Sequence, residues 1–339
     1  FQAEDGIRDF CLSRGLGDVY KRQEKKMSYL KNQNYSPVPA WCELPYGMTF
    51  KNDATSVSVD SKDNVYVFCR GPIPVMIFNS DGKFLNSWGE GEFFRPHGIA
   101  HDKEDNVYLI DDQGHMVEKR DNNGNLLFRL GEKGKSSPRQ SGDIFNLPTD
   151  AVVDPDNGDI YISDGYGNSR VHKFNSDGDY ILSWGEPGSD PGKFSLPHNI
   201  ALTSDKRIIV ADRENFRLQI FDCDGNFIDQ WHVHHPMSVT TDKDDNIFVG
   251  EMGPPPVQEG VENLGNCVTI FSTKGEIIER IGDKLPGAEP NQFVAPHGIA
   301  VDSKGSIYVA EVAWTYWFSR QENPPVGEIP SLRKWKKND

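Results

Sequence analysis

Residues Leu147–Phe221 read LPTDAVVDPDNGDIYISDGYGNSRVHKFNSDGDYILSWGEPGSDPGKFSLPHNIALTSDKRIIVADRENFRLQIF, and the fold follows from this stretch. It holds one full structural unit and most of a second. Each unit opens with a short apolar strand after a Pro-x motif. A second apolar strand follows, then a third, then a turn centred on Asp-Gly, and a fourth strand ending near Trp-Gly. The second strand is the clearest marker. It recurs as VYVF at Val65, VYLI at Val107, IYIS at Ile160, IIVA at Ile208, IFVG at Ile247 and IYVA at Ile307. Six copies at a period of roughly 40 to 60 residues, with four strands each, predict a propeller. Ser80-Asp81-Gly82, Asn123-Gly124-Asn125, Ser176-Asp177-Gly178 and Cys223-Asp224-Gly225 suit tight hairpins between outer strands. No long segment repeats apolar residues at helical spacing. The expected fold is all-β: six four-stranded antiparallel blades around a central channel.

A chain of 339 residues would ordinarily divide into two domains. Radial repetition favours one, because each blade adds core without deepening it. Expected blades run Ala54–Trp88, His97–Leu130, Asp150–Trp184, His198–Trp231, Met237–Ile281 and His297–Trp335. The segment Tyr35–Phe50 is expected to lend an outer strand to the last blade and so close the ring. Gly253–Gly265 and Trp314–Pro330 are insertions, read either as substrate-covering loops or as loop drift. Residues 1–23 carry no strand pattern and resemble an adapter-derived translation product. Residues 1–26 are therefore expected to be non-native or disordered, with Met27 a plausible start and 27–339 a single domain.

The net charge of −15 argues against binding nucleic acid or anionic membranes through bulk charge. No apolar run is long enough to cross a membrane as a helix. Of five cysteines, Cys11, Cys42, Cys69, Cys223 and Cys267, none has metal-site spacing or disulfide-framework density. They read as reduced packing residues of a cytoplasmic, monomeric protein. A signal peptide could be missing if the start is artefactual.

The first strand of each blade should line the channel. Its opening is Pro96-His97, Pro197-His198 and Pro296-His297 in blades 2, 4 and 6, while blades 3 and 5 carry Thr149 and Met237. Three imidazoles on alternate blades lie about 120° apart, which suits one metal ion with positions left for water or substrate. Histidine can also occupy that slot without ligating anything; the remaining histidines have no such placement, and His115 is the one other worth watching. Adjacent strands are antiparallel, so residues just after the second strand share the face of the histidines. These include Arg70, Asp111-Asp112, Asp164-Gly165-Tyr166 and Asp212-Arg213. A phenol and two guanidiniums beside three imidazoles suit an anionic, oxygen-bearing substrate. The bland readings are turn acceptors for Asp164 and Asp212, surface ion pairs for Arg70 and Arg213, and a rim position for Tyr166.

These motifs resemble the peptidyl-α-hydroxyglycine α-amidating lyase family, NHL-repeat six-bladed propellers. The carriers are LPTDAVVDP at Leu147, SDGYGNSR at Ser163, LSWGE at Leu182, GKFSLPHNIAL at Gly192 and VADRENFRLQIF at Val210, with RPHGIAHD at Arg95, APHGIAVD at Ala295 and CRG at Cys69. The resemblance runs from about Tyr66 to Val309, dense in blades 3 and 4. It implies zinc, or another divalent transition metal, on His97, His198 and His297. It further implies a catalytic tyrosine at Tyr166 and active-site arginines at Arg213 and Arg70. The implied reaction cleaves an N-acyl-α-hydroxyglycine to an amide and glyoxylate. Tyr166, its pKa lowered by the metal and the arginines, would be the base, and the substrate a small molecule or short peptide with a free carboxylate.

Departures from the family pattern matter. The cysteine after the tyrosine is Gly167 here, and Arg213 has no cysteine nearby, so the disulfides of secreted relatives are absent. The acidic residue linked to structural calcium is Gly298, which puts calcium in doubt. A methionine of the pocket wall is Ala295. Two other classes stay open: a metal-dependent lactonase or hydrolase, and a non-catalytic NHL-repeat binding scaffold.

Overall fold

The computed structural model describes residues 34–51, 53–253, 265–283, 285–316, 318–320, 322–323 and 330–338. Twenty-four strands form six separate four-stranded antiparallel sheets. The blades begin at Ala54, Pro96, Asp150, Pro197, Pro236 and Pro296, within a residue of the expected starts. The expected 1–26 segment and Cys11 lie outside the described residues, as do most of the two insertions.

The second strands read as continuous apolar runs because both faces of a blade pack against neighbouring blades. Val65–Cys69, Val107–Asp111, Ile160–Asp164, Ile208–Asp212, Ile247–Glu251 and Ile307–Glu311 are buried along their whole length. Apolar clusters accordingly lie at the junctions between blades. Tyr108, Ile110, Ala151 and Ile162 join blades 2 and 3; Ala201, Ala211, Val239 and Val249 join blades 4 and 5. The sixth junction closes the ring: Ala54, Val57 and Val67 of blade 1 pack with Ala300, Tyr308 and Leu332 of blade 6.

Closure is also hydrogen-bonded. Tyr35–Val38 pairs antiparallel with Leu332–Lys337, so the outer strand of blade 6 comes from the opposite end of the chain. The buried ring of Tyr35 joins Phe293, Ile307 and Trp335 in the core there. The turn sequences do what their chemistry predicts. Gly82, Gly124, Gly178 and Gly225 take positive φ between third and fourth strands, and the side chains of Asn79, Asp121, Asn175 and Asp222 accept from the turn amides. The four described cysteines are all free. No described helix is long and apolar enough to cross a membrane.

Candidate metal and active site

The inner strands carry a feature that spacing alone does not reveal. In blades 1, 2, 4, 5 and 6 the register against the second strand slips by one residue, at Thr55, His97, His198, Met237 and His297. A bulge leaves its residue unpaired and re-aims the side chain. Each histidine sits at such a bulge. Its Nδ1 lies 2.6 Å from the carbonyl of the equivalent residue one blade on: His97 on Thr149, His198 on Met237, His297 on Thr55. Carbonyls of the non-histidine blades thus orient the imidazoles of the histidine blades.

Those contacts decide the tautomer. A carbonyl only accepts, so each Nδ1 carries the proton and each Nε2 presents a lone pair. Burial holds all three imidazoles below their ordinary range. Neighbouring charge adds to this: His297 then Arg70 for His97, Arg213 then His297 for His198, and Arg70 for His297, which falls to about 3. Ligand atoms of the three lie within 4.8 Å of one another, and the ring centroids are 4.7, 4.8 and 5.0 Å apart. Three nitrogens bound at 2.0–2.1 Å to one ion stand about 3.4 Å apart, so a small contraction would bring them together.

The hydroxyl of Tyr166 lies 3.0 Å from Nε2 of both His97 and His198. The phenol has one proton to give, and both nitrogens are acceptors. One of the two contacts is therefore acceptor against acceptor unless a cation sits between them. The donor set fits a divalent ion: neutral imidazoles with fixed tautomers and one oxygen, converging in a buried place. Burial raises Tyr166 above its ordinary range; Arg213, Arg95 and Arg70 pull the other way, and Asp112 adds to the rise.

The frame holding these groups is built by the acids closing the second strands. Asp111 accepts from the amides of Phe94 and Arg95 at 2.7 and 2.8 Å. Asp164 takes Asn146 N, Asp212 takes Ser195 N, and Glu311 takes Ala295 N. Each fixes the segment feeding an inner strand, so Asp164 and Asp212 are the turn acceptors their bland reading proposed. The next amide along adds a rung: Arg70 N to Asp53 O, Asp112 N to Arg95 O, and Arg213 N to Leu196 O. Gly165 lets Tyr166 reach the axis, since a Cβ there would stand 2.1 Å from Pro197 O. At Gly298 a Cβ would meet the backbone of Ser56 at 2.6 Å, so no carboxylate is accommodated at that position without displacing blade 1.

All six expected side chains gather on one end of the channel. The Arg213 guanidinium lies 5.6 Å from the Tyr166 ring centroid. Its Nε is held by Glu214 at 2.8 Å, and Nη1 lies 3.9 Å from Met237 Sδ. Arg70 Nη1 contacts Asp53 at 3.3 Å and Thr315 at 2.9 Å, while its buried Nε meets no partner among the described residues. Both arginines are thus ion-paired and also face the site. His115 accepts from Leu147 N at 3.1 Å and is structural.

One neighbour was not singled out by sequence, and one that was placed on this face proves to be its partner. Arg95 stands 5.9 Å from the Tyr166 ring and pairs at 3.2 Å with buried Asp112. Burial pushes Asp112 up to about 7 against the pull of Arg95 and Arg70. The signals were present, since Arg95 directly precedes Pro96-His97 and Asp112 follows a second strand. What was missing was the rung that sets them side by side.

Comparison with known proteins adds a second line. The NHL repeat pattern matches residues 145–174 and 194–221. Human NHL repeat-containing protein 3 is 33% identical over 292 residues, covering 78% of this chain and 78% of that protein. Peptidyl-glycine alpha-amidating monooxygenase A of Xenopus laevis is 31% identical over 80% of this chain, which spans 32% of that protein. Peptidyl-alpha-hydroxyglycine alpha-amidating lyase 1 of Drosophila melanogaster is 29% identical over 83% of this chain and 58% of its own length. Among solved structures, a gluconolactonase from Xanthomonas campestris superposes with TM-score 0.58 at 14% identity, covering 91% of this chain and 99% of that one, which is a likeness of fold.

Proposed function

Because the chain belongs to the NHL-repeat six-bladed propeller family that includes the peptidyl-α-hydroxyglycine α-amidating lyases, we propose that it is a carbon–nitrogen lyase. Its substrate is an N-acyl-α-hydroxyglycine, small or peptidyl, and its products are the amide and glyoxylate. The observation that carries this reading is the convergence of three Nδ1-anchored imidazoles, two of which meet the Tyr166 hydroxyl. Zinc, or another divalent transition metal, would be held by Nε2 of His97, His198 and His297. Such an ion supplies Lewis acidity that lowers the pKa of the carbinol hydroxyl and of the phenol beside it.

The chain's own groups do the rest. Tyr166 accepts the hydroxyl proton, its phenolate favoured by the Arg213 and Arg95 cations against burial. As the carbonyl of glyoxylate forms, the C–N bond breaks and its electron pair leaves with the amide nitrogen, which takes up a proton. Glu214 engages only Nε of Arg213, leaving both terminal amino groups for the substrate carboxylate in two parallel charge-assisted bonds. A site built for that carboxylate rejects the uncharged analogue, because a guanidinium would be left unpaired.

The test is glyoxylate release from α-hydroxyhippurate, its methyl ester and a simple lactone. The acid should react, the ester far more slowly, and Arg213→Lys should impair chiefly the acid. Lactone opening without glyoxylate would move the chain to the hydrolases. A non-catalytic scaffold is the reading favoured by the match over 78% of each chain with the human NHL repeat-containing protein 3, whose name carries no activity. It predicts no turnover of any of the three.

A further inference from the structure

The reacting carbon of such a substrate carries two arms, the carboxylate and the acylamide, and they must leave the axis in different directions. Over blades 5 and 6 the face is closed. Met237, Met252, Val294, Ala295, Val312 and Ala313 form a buried apolar cap there, with Tyr316 and Phe318 packed on it. Arg213, on blade 4, takes the carboxylate in the reading above. On the opposite side, among the described residues, a cleft of about 320 Å³ opens between blades 1 and 2. Its lining includes Arg70, Pro72, Pro74, Phe93, Phe94 and Arg95. That volume is at the lower end of small-molecule sites.

Resting on the lyase reading, we propose that this cleft receives the acyl half of the substrate and favours flat aromatic acyl groups. It joins the reacting centre through Arg95, whose guanidinium lies 5.9 Å from the Tyr166 ring. Its walls are fixed before any ligand arrives. Asp111 staples the backbone of Phe94 and Arg95. Phe93 packs edge-on against Phe68 at 5.1 Å. The Phe94 ring, 61% exposed, has Lys133 Nζ 5.5 Å from its centroid. A large ring left open to solvent beside a reacting centre, between two prolines and a guanidinium, is a stacking surface.

Charge decides against an anionic acyl group. Where Asp112 is ionised, the two guanidiniums lining the cleft already have carboxylates, Asp53 for Arg70 and Asp112 for Arg95. What they offer is their flat faces rather than uncompensated charge. Arginine at this position is particular to this junction, because Asp53, Leu147, Leu196, His235 and Ala295 stand where Arg95 stands in the other five blades.

The experiment compares kcat/KM for glyoxylate release from the N-benzoyl, N-acetyl and N-succinyl forms of α-hydroxyglycine. Benzoyl should exceed acetyl by about 10-fold or more, the scale of discrimination an apolar pocket gives, and succinyl should not exceed benzoyl. Phe94→Ala and Arg95→Gln should each cut the benzoyl-to-acetyl ratio several-fold, chiefly through KM for the benzoyl compound. Leu127→Ala, on the exposed outer strand of blade 2, should leave the ratio alone. A ratio near one, a ratio unmoved by both cleft variants, or a preference for succinyl would overturn the cleft assignment while leaving the lyase reading intact. No glyoxylate from any of the three would overturn the lyase reading and the cleft assignment with it.

Discussion

Tyr166 is the side chain on which the chemistry turns, because its oxygen alone meets two of the three imidazole lone pairs. Tyr166→Phe removes one oxygen from a half-buried ring and keeps the edge-on packing against His97 and His198. It should leave fold and metal content unchanged while kcat falls by about 10²-fold or more, as loss of a general base does; single-turnover kinetics with matched metal analysis would check it. Asp112 invites a different measurement. Its pKa rises to about 7 because burial outweighs Arg95 and Arg70. Between its unfolded pKa near 4 and about 7, the native state keeps a proton that the unfolded state releases, so this group makes stability fall as pH rises. Above 7 that loss is complete and constant. Asp112→Asn removes the titration, so its Tm relative to the parent should climb by several degrees from pH 4 to 7 and then level off. A difference that does not change with pH would show that Asp112 ionises freely.

Between strands, the recurrent device is an acid at the end of the second strand gripping the segment that feeds the inner strand of the same blade. In blade 4 that acid is Asp212, buried, bonded to Ser195 N at 2.8 Å and to Arg217 Nε at 2.8 Å. Asp212→Ala strands the buried Arg217 and frees the approach to His198. It should cost about 3–5 kcal/mol, the scale for breaking a buried pair, and weaken metal affinity as well; denaturant melts and metal titration would measure the two effects. Loss of stability with full metal affinity would mean that the bulge at His198 holds without the staple. The strands, their order and the Pro-His slots were legible in the sequence because apolar period and turn chemistry are local. Tyr35–Val38 was legible as the closing strand because blade 6 lacked a fourth. The bulges were not, since a one-residue slip leaves no compositional trace. Nor were the Nδ1 contacts to Thr55, Thr149 and Met237, which join residues of different blades at separations of 242, 52 and 39 positions. The pairing of Arg95 with Asp112 was hidden for the same reason.

For the whole molecule, closure turns six weak sheets into one ring, and the first described strand is its fastener. Tyr35 is buried among Phe293, Ile307 and Trp335, so Tyr35→Ala should cost about 3 kcal/mol or more, the scale for emptying an aromatic core position. Scanning calorimetry should show one transition at lower temperature; separate melting of blade 6 would show that closure does not couple the blades. Closure also sets the spacing of blades 2, 4 and 6, and with it the distances among His97, His198 and His297. The central claim is that these three residues assemble a metal centre that cleaves a carbinolamide. Glyoxylate release from α-hydroxyhippurate, measured before chelation, after it and after zinc is returned, tests that claim most directly. About one ion per chain is expected at the start, with activity lost along with the ion, recovered on its return, and neither ion nor activity in the triple alanine variant of the histidines. Unchanged glyoxylate release from protein verified to be free of metal would contradict it.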